Sequence, residues 1–182
     1  VVGAGRHDGA SSILDDHTGH ARVFEWNAAS RTWAQLGAAL DGEAAGDRLG
    51  HAPLQTALSG DGSVVVVSSY HNDGDPTNPT NSNYDVGHVR VFSYNGTSWV
   101  RVGPDLRGEW AASGYGLNVQ LSDNAGLLVV PAPLDDRHGH GGVVYTYAAT
   151  AHSPPSEPPP PSPPAPPSPS PLPPSLPLPP MI

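Results

Sequence analysis

Cysteine is absent from the 182 residues, so neither a disulfide framework nor a thiolate metal site can form. That removes one mark of secretion without excluding secretion, because oxidising compartments enrich disulfides but do not demand them. Lysine is absent too, and all eight cations are arginine. In a chain rich in Ala, Gly, Arg, Pro and Asp this is a compositional bias and not a function, since a guanidinium has no general advantage on a plain surface. No apolar run approaches the roughly 20 residues needed to span a bilayer. The formal charge of −9 lacks the basic face that a nucleic-acid partner selects. There is no nucleophile-elbow sequence and no Gly-rich phosphate loop, so no enzyme is expected. The sequence opens on Val1, without Met or a signal-like stretch, and is expected to be a piece of a longer polypeptide.

What the sequence has is repetition. Gly87 to Glu109, GHVRVFSYNGTSWVRVGPDLRGE, is a second copy of Gly19 to Glu43, GHARVFEWNAASRTWAQLGAALDGE, and a third copy begins at Gly141. Val23, Trp26 and Asn27 match Val91, Tyr94 and Asn95 at an offset of 68, whereas Trp33, Leu36, Gly37, Leu40, Gly42 and Glu43 match Trp99, Val102, Gly103, Leu106, Gly108 and Glu109 at 66. The drift is a shorter turn. A period of this size built from short strands points to propeller blades or a related array.

Two compositional regimes meet near Ala151. Residues 1–150 alternate strand-like runs with Gly, Asn and Asp turns, as copies near 1–64, 65–127 and 128–148. In residues 151–182, Ser153 to Pro180 holds 17 prolines in 28 residues. Proline supplies no amide hydrogen for helix or sheet, so this segment is expected to be a solvated polyproline II rod reaching roughly 90 Å at about 3.1 Å per residue.

Within the repeats the two-residue period of a strand is clear in Val89 to Tyr94. Asn95-Gly96 then supplies a tight turn, and Ser98 to Val102 returns. A second hairpin runs from Leu54 to Leu58 and from Val64 to Ser68 about Ser59-Gly60-Asp61-Gly62, with its equivalent at Leu117 to Leu121 and Leu127 to Ala132. The continuous apolar runs Val64 to Val67 and Leu127 to Val130 suit strands covered on both faces. Each period holds about four strands and no helical pattern, so the expected fold is all-β: a partial β-propeller of four-stranded antiparallel blades.

The order of turn glycine, apolar strand, LS-GDG-like turn, VVV strand, acidic loop and GHVRVF-type hairpin resembles the FG-GAP repeat proteins, whose repeats form the seven-bladed propeller of the integrin α-subunit head and of many secreted or surface proteins. Gly3-Ala4-Gly5, Ser68-Ser69-Tyr70 and Pro131-Ala132-Pro133 stand in the place of Gly-Ala-Pro, and Leu49-Gly50 and Ser113-Gly114 in that of Phe-Gly. The resemblance implies a binding fold outside the cell or on its surface. Family members that bind calcium use an Asp-rich loop ahead of the Gly-Ala-Pro strand. This chain has only Asp61 and Asp123 there, which read as hairpin-turn residues.

A second acidic region lies between the apolar strand and the GHVRVF strand. It carries Asp8, Asp15 and Asp16 in copy one, Asp73, Asp75 and Asp85 with Asn72, Asn78, Asn81 and Asn83 in copy two, and Asp135 and Asp136 in copy three. His7, His17, His20, His71, His88, His138 and His140 fall in the same stretches. Carboxylates with amide oxygens suit calcium, so Asp73, Asp75, Asn78 and Asp85 are the candidate ligands, against the ordinary reading of such loops as solvated turn formers. Asn95-Gly96-Thr97 fits an N-glycosylation acceptor, although the turn already accounts for Asn95-Gly96.

The recurring aromatics Trp26, Tyr94, Trp33 and Trp99 are expected to pack between blades, a carbohydrate-stacking face being the competing reading. At most about two and a half copies are present, while closed propellers use about 4 to 8 blades. Either further blades complete the ring, or open edges lead to self-association. Two functions compete. One is a non-catalytic extracellular or cell-surface adhesion module whose loops meet a protein or carbohydrate. The Ser-Pro-Pro tail resembles the hydroxyproline-rich linkers of plant and green-algal wall glycoproteins, which implies a cell-wall or surface stalk. The other is an intracellular scaffold whose PxxP segments bind SH3-like or profilin-like domains. The absence of basic residues near those prolines weakens the second.

Overall fold

The computed structural model describes residues 1–8, 16–52, 54–74, 84–136, 139 and 141–149. The chain divides into two compact units, Val1–His152 and Ser153–Ile182, and the second, with the Pro-rich tail, lies outside the described residues. Among the described residues the chain is all-β and antiparallel, with no helix. Among those residues no helix is long and apolar enough to cross a membrane.

In the first copy, β1 (Val2–Ala4), β2 (His20–Arg22) and β5 (Leu40–Asp41) form one sheet, and β3 (Phe24–Asn27) pairs with β4 (Thr32–Gln35) just beyond Val23. In the second, β6 (Thr56–Leu58), β7 (Val64–Ser69), β8 (His88–Tyr94) and β10 (Leu106–Arg107) lie side by side, with β9 (Trp99–Arg101) also on β8. The second copy is therefore four strands wide, its outermost strand broken into β9 and β10. In the third, β11 (Gln120–Leu121), β12 (Leu127–Ala132) and β13 (Val143–Ala148) complete the set.

The offsets read from the sequence reappear as duplicated hydrogen bonds. Leu36 N to Val23 O and Val102 N to Val91 O both measure 2.8 Å, and Gly42 N to Gly19 O and Gly108 N to Gly87 O both measure 2.9 Å. Neighbouring sheets are tied in one register as well. Gly50 N reaches Ser68 O at 3.0 Å, and Gly116 N reaches Pro131 O at 3.2 Å, so Tyr115-Gly116, and not the expected Ser113-Gly114, is the counterpart of Leu49-Gly50. The drift from 68 to 66 lies in the β3–β4 and β8–β9 turns. Asn27 Oδ1 accepts from Ala29 N and Ser30 N at 3.0 Å, and Arg31 closes the longer turn at φ 56°; Asn95 Oδ1 accepts from Thr97 N and Ser98 N, and Gly96 turns at φ 93°.

The third copy enters one residue later than Gly141 suggests. Val143 pairs with Ala132 as His88 pairs with Ser69, and Gly142 has the left-handed φ of 64° that Gly87 has at 79°. A one-residue slip exchanges the two faces of a strand. With Gly142 in that place, Tyr145 and Tyr147 join the core between the second and third copies, and Val144 points outward.

The core consists of two apolar seams. Ala21, Val23, Leu40 and Leu49 of the first copy meet Val65 and Val67 of the second. On the other face of the second sheet, Val66 and Val89 meet Leu128, Val130 and Ala132 of the third, capped by Tyr115, whose hydroxyl lies 2.7 Å from that of Tyr147. β7 is therefore covered on both faces, which is why its run of valines does not alternate with polar residues. β12 alternates instead, with Leu128 and Val130 buried and Leu127 45% exposed, because nothing described packs on its outer side.

The same asymmetry corrects the expected role of the aromatics. Tyr94 and Trp99 do pack between sheets, and the Trp99 indole donates to Leu36 O at 2.8 Å. Trp26 and Trp33, their equivalents, stand on the outer side of the first copy. They are 47% and 66% exposed and meet edge to face with ring centroids 5.5 Å apart.

Candidate functional site

Strand direction sorts the connections into two ends. Tight turns at residues 28–31, 59–63, 95–98 and 122–126 close one end. The longer connections, 5–19, 42–55, 70–87, 108–119 and 133–142, all leave and rejoin the strands at the other. The tight end is fully explained by turn chemistry. Asp61 accepts from Ser59 Oγ at 2.6 Å and from Ser63 N at 2.9 Å, and these hydrogen bonds hold its carboxyl below the usual range.

At the loop end, the candidate calcium residues are only partly in view, because Asp75 and Asn78 lie outside the described residues. Asp73 Oδ1 accepts from Asp85 N at 3.1 Å, and Asp85 Oδ1 lies 3.0 Å from His71 Nδ1. Both carboxylates are thus engaged within their own loop. Histidines also approach one another here. His51 and His71, from different loops, lie 6.1 Å apart by ring centroid, and His7 lies 4.0 Å from His20 at the start of β2. Burial lowers the His51 pKa, with nearby Arg48, His71, Arg6 and His17 acting in the same direction.

Beneath these loops, between the first two sheets, lies a charged cluster. His88 and Arg90 project from β8 toward the first copy, Arg101 comes from β9 and Arg107 from β10. All four converge on Glu43, which follows β5. Glu43 lies 3.8 Å from Arg90 Nη1, 3.9 Å from Arg101 Nη1, 3.7 Å from Arg107 Nη2 and 3.9 Å from His88 Nδ1. Asp105 pairs with Arg101, and with Arg107 at 3.1 Å. His88 is fully buried and neither ring nitrogen has a hydrogen-bond partner. Burial, followed by the three arginines, lowers its pKa to about 2, so it is neutral at any ordinary pH.

A polar chain extends from this cluster into the loops. Asp47 Oδ2 accepts from Glu43 N at 3.1 Å and Ala44 N at 3.0 Å, and its Oδ1 accepts from Asn72 Nδ2 at 3.1 Å. Burial raises the Asp47 pKa against these hydrogen bonds. Asn72 Oδ1 in turn accepts from Gly74 N at 2.9 Å and Arg107 Nη1 at 3.2 Å, and Ser69 Oγ donates to Asp47 O.

Glu43, His88 and Asp105 each offer one ligand atom within 4.8 Å of the others, a nitrogen and oxygen set of the kind transition metals accept. The three guanidiniums in the same cluster oppose a dication, and Asp105 is already engaged. The arrangement holds a carboxylate: Glu43 is the anion that a basic wall on the second sheet receives from the first. Glu43 was visible in the sequence through its recurrence at Glu109. Its partners were not, because Arg101 and Arg107 align with Gln35 and Asp41 of the first copy. The available signal was His88 and Arg90 on a strand otherwise buried on both faces.

Large side chains are exposed over the loop end: Tyr84 at 67%, Trp110 at 54% and Leu134 at 68%. Their segments are joined by backbone hydrogen bonds, Ala112 N to Tyr84 O at 3.1 Å and Leu134 N to Ser113 O at 2.9 Å. Asn95 lies at the opposite, tight-turn end and is exposed. Compared with protein-family models and with curated proteins, the sequence matches none.

Proposed function

We propose that the chain is a section of a β-propeller of the FG-GAP type, acting outside the cell or at its surface as a non-catalytic binding module, with the loop end meeting a protein or glycan and the Pro-rich segment serving as a stalk. The reading is carried by the contrast between the two ends. One end is closed by satisfied turns, whereas the other gathers Tyr84, Trp110 and Leu134 in exposed positions on hydrogen-bonded segments. Exposed apolar groups gathered in this way are characteristic of recognition surfaces, and aromatic faces serve both sugar stacking and protein contact. The four-strand width of the second sheet and the repeated inter-sheet register support the propeller reading.

A glycan array followed by titration calorimetry tests it. Binding by the whole chain should be lost in Trp110→Ala and Tyr84→Ala and kept in Trp33→Ala, which changes the far side of the first sheet. Binding indifferent to both loop substitutions, or no binding to any glycan or matrix protein offered, would overturn it. Calcium is tested separately: the native chain should release heat on titration that Asp73→Ala and Asp75→Ala reduce, and the absence of heat ends the ion reading.

A further inference from the structure

The first two copies each turn their outer hairpin on an asparagine, and the turns differ in the residue that follows it. Asn95 Oδ1 accepts from Thr97 N at 3.0 Å and Ser98 N at 2.9 Å, and Asn27 Oδ1 accepts from Ala29 N and Ser30 N at 3.0 Å. Both asparagines are exposed, and neither Gly96 N nor Ala28 N donates to a backbone carbonyl among the described residues. What separates them is that Asn95 precedes a glycine, in the one Asn-Gly pair of the sequence. Gly96 turns at φ 93°, and a Cβ there would meet nothing within 4 Å.

We infer that Asn95 is a site of spontaneous deamidation, at which the turn rewrites its own backbone. Gly96 N attacks Asn95 Cγ: the N–Cγ bond forms, the Cγ–Nδ2 bond breaks, and Nδ2 leaves as ammonia with the proton that Gly96 N gives up. The amide hydrogens of Thr97 and Ser98 already face Oδ1, where negative charge develops during the attack. Water then opens the cyclic imide on either side. Opening at Cγ yields aspartate, whose carboxylate still accepts from Thr97 N and Ser98 N. Opening at the main-chain carbonyl carbon yields isoaspartate, in which the backbone runs through Cγ and gains a methylene. The lengthened turn no longer fits the register that pairs Tyr94 with Trp99 and Phe92 with Arg101. Trp99 donates to Leu36 O and Arg101 faces Glu43, so a change in an exposed turn loosens the seam between the first two sheets. None of these residues belongs to the loop end, and the modification is independent of the binding reading.

Peptide mapping by mass spectrometry tests it on the whole chain, incubated warm at mildly alkaline pH, with isoaspartate assigned by methyltransferase labelling. Asn95 should convert at least about tenfold faster than Asn27, because a side chain on the following residue hinders the rotation that brings its nitrogen to Cγ and glycine does not. Ala28→Gly should raise Asn27 to the rate of Asn95, and Gly96→Ala should lower Asn95 to that of Asn27. Separated by chromatography, the aspartate form should keep the urea midpoint of the parent chain and the isoaspartate form should unfold at lower urea. Equal rates at Asn95 and Asn27, an Ala28→Gly chain in which Asn27 stays intact, or an isoaspartate form as stable as its parent would each overturn the inference.

Discussion

The indole nitrogen of Trp99 donates to the carbonyl oxygen of Leu36 at 2.8 Å, joining the second copy to the first. Trp33, the equivalent residue one copy earlier, projects into solvent. Trp99→Phe should therefore cost about 1 kcal/mol, the worth of one hydrogen bond, and Trp99→Ala about 3 kcal/mol through lost packing. Trp33→Phe should leave the urea midpoint unchanged. Equal effects at the two positions would contradict the assigned seam.

Glu43 offsets the charge of Arg90, whose side chain is only 8% exposed. Because Glu43 itself is 36% exposed, solvent screens part of the pairing, and Glu43→Ala should cost about 1 to 2 kcal/mol in urea unfolding. Glu43→Asp should recover little, since a shorter side chain cannot meet four groups at once.

Acid should destabilise the fold. His88, His20 and His51 all have folded pKa values lowered first by burial, His88 to about 2. Below the unfolded value of about 6.5 the unfolded chain binds protons that the folded chain refuses, so stability falls as pH falls through that value. The raised pKa of Asp47 acts in the opposite direction in the carboxylate range and offsets part of the loss there. Each fully buried histidine contributes about 1.4 kcal/mol per pH unit. His88→Gln should flatten the decline between pH 6.5 and pH 5 by about that slope; a midpoint independent of pH would refute the assignment.

Gly87 turns at φ 79°, and a Cβ there would collide with the Tyr115 carbonyl oxygen. Gly46, at φ 86°, faces open space. Gly46→Ala should cost about 1 kcal/mol from backbone conformation alone. Gly87→Ala should cost more than about 3 kcal/mol or prevent folding, as read by circular dichroism and thermal melting.

The strands and their repetition were legible because valine runs and Asn-Gly turns carry their own geometry. Val64 to Val67 could be read as doubly covered from its composition alone. The register of the third copy was not: with Gly141 and Gly142 adjacent, only the left-handed turn at Gly142 and the pairing of Val143 with Ala132 decide which residue leads. Nor could the repeat foretell that Trp26 and Trp33 face outward, since equivalent residues share a face of their sheet but not a neighbour. The Glu43 cluster was least legible of all, because it joins residues of two copies and two of its arginines, Arg101 and Arg107, stand where the first copy has Gln35 and Asp41.

Sheets that touch only their neighbours need not come apart together. Among the described residues the second has a partner on each face, the first and third on one. Amide hydrogens of β7 and β8 should accordingly outlast those of β1 and β13 in exchange against deuterium, so that the molecule under stress sheds its flanks and keeps its middle until last.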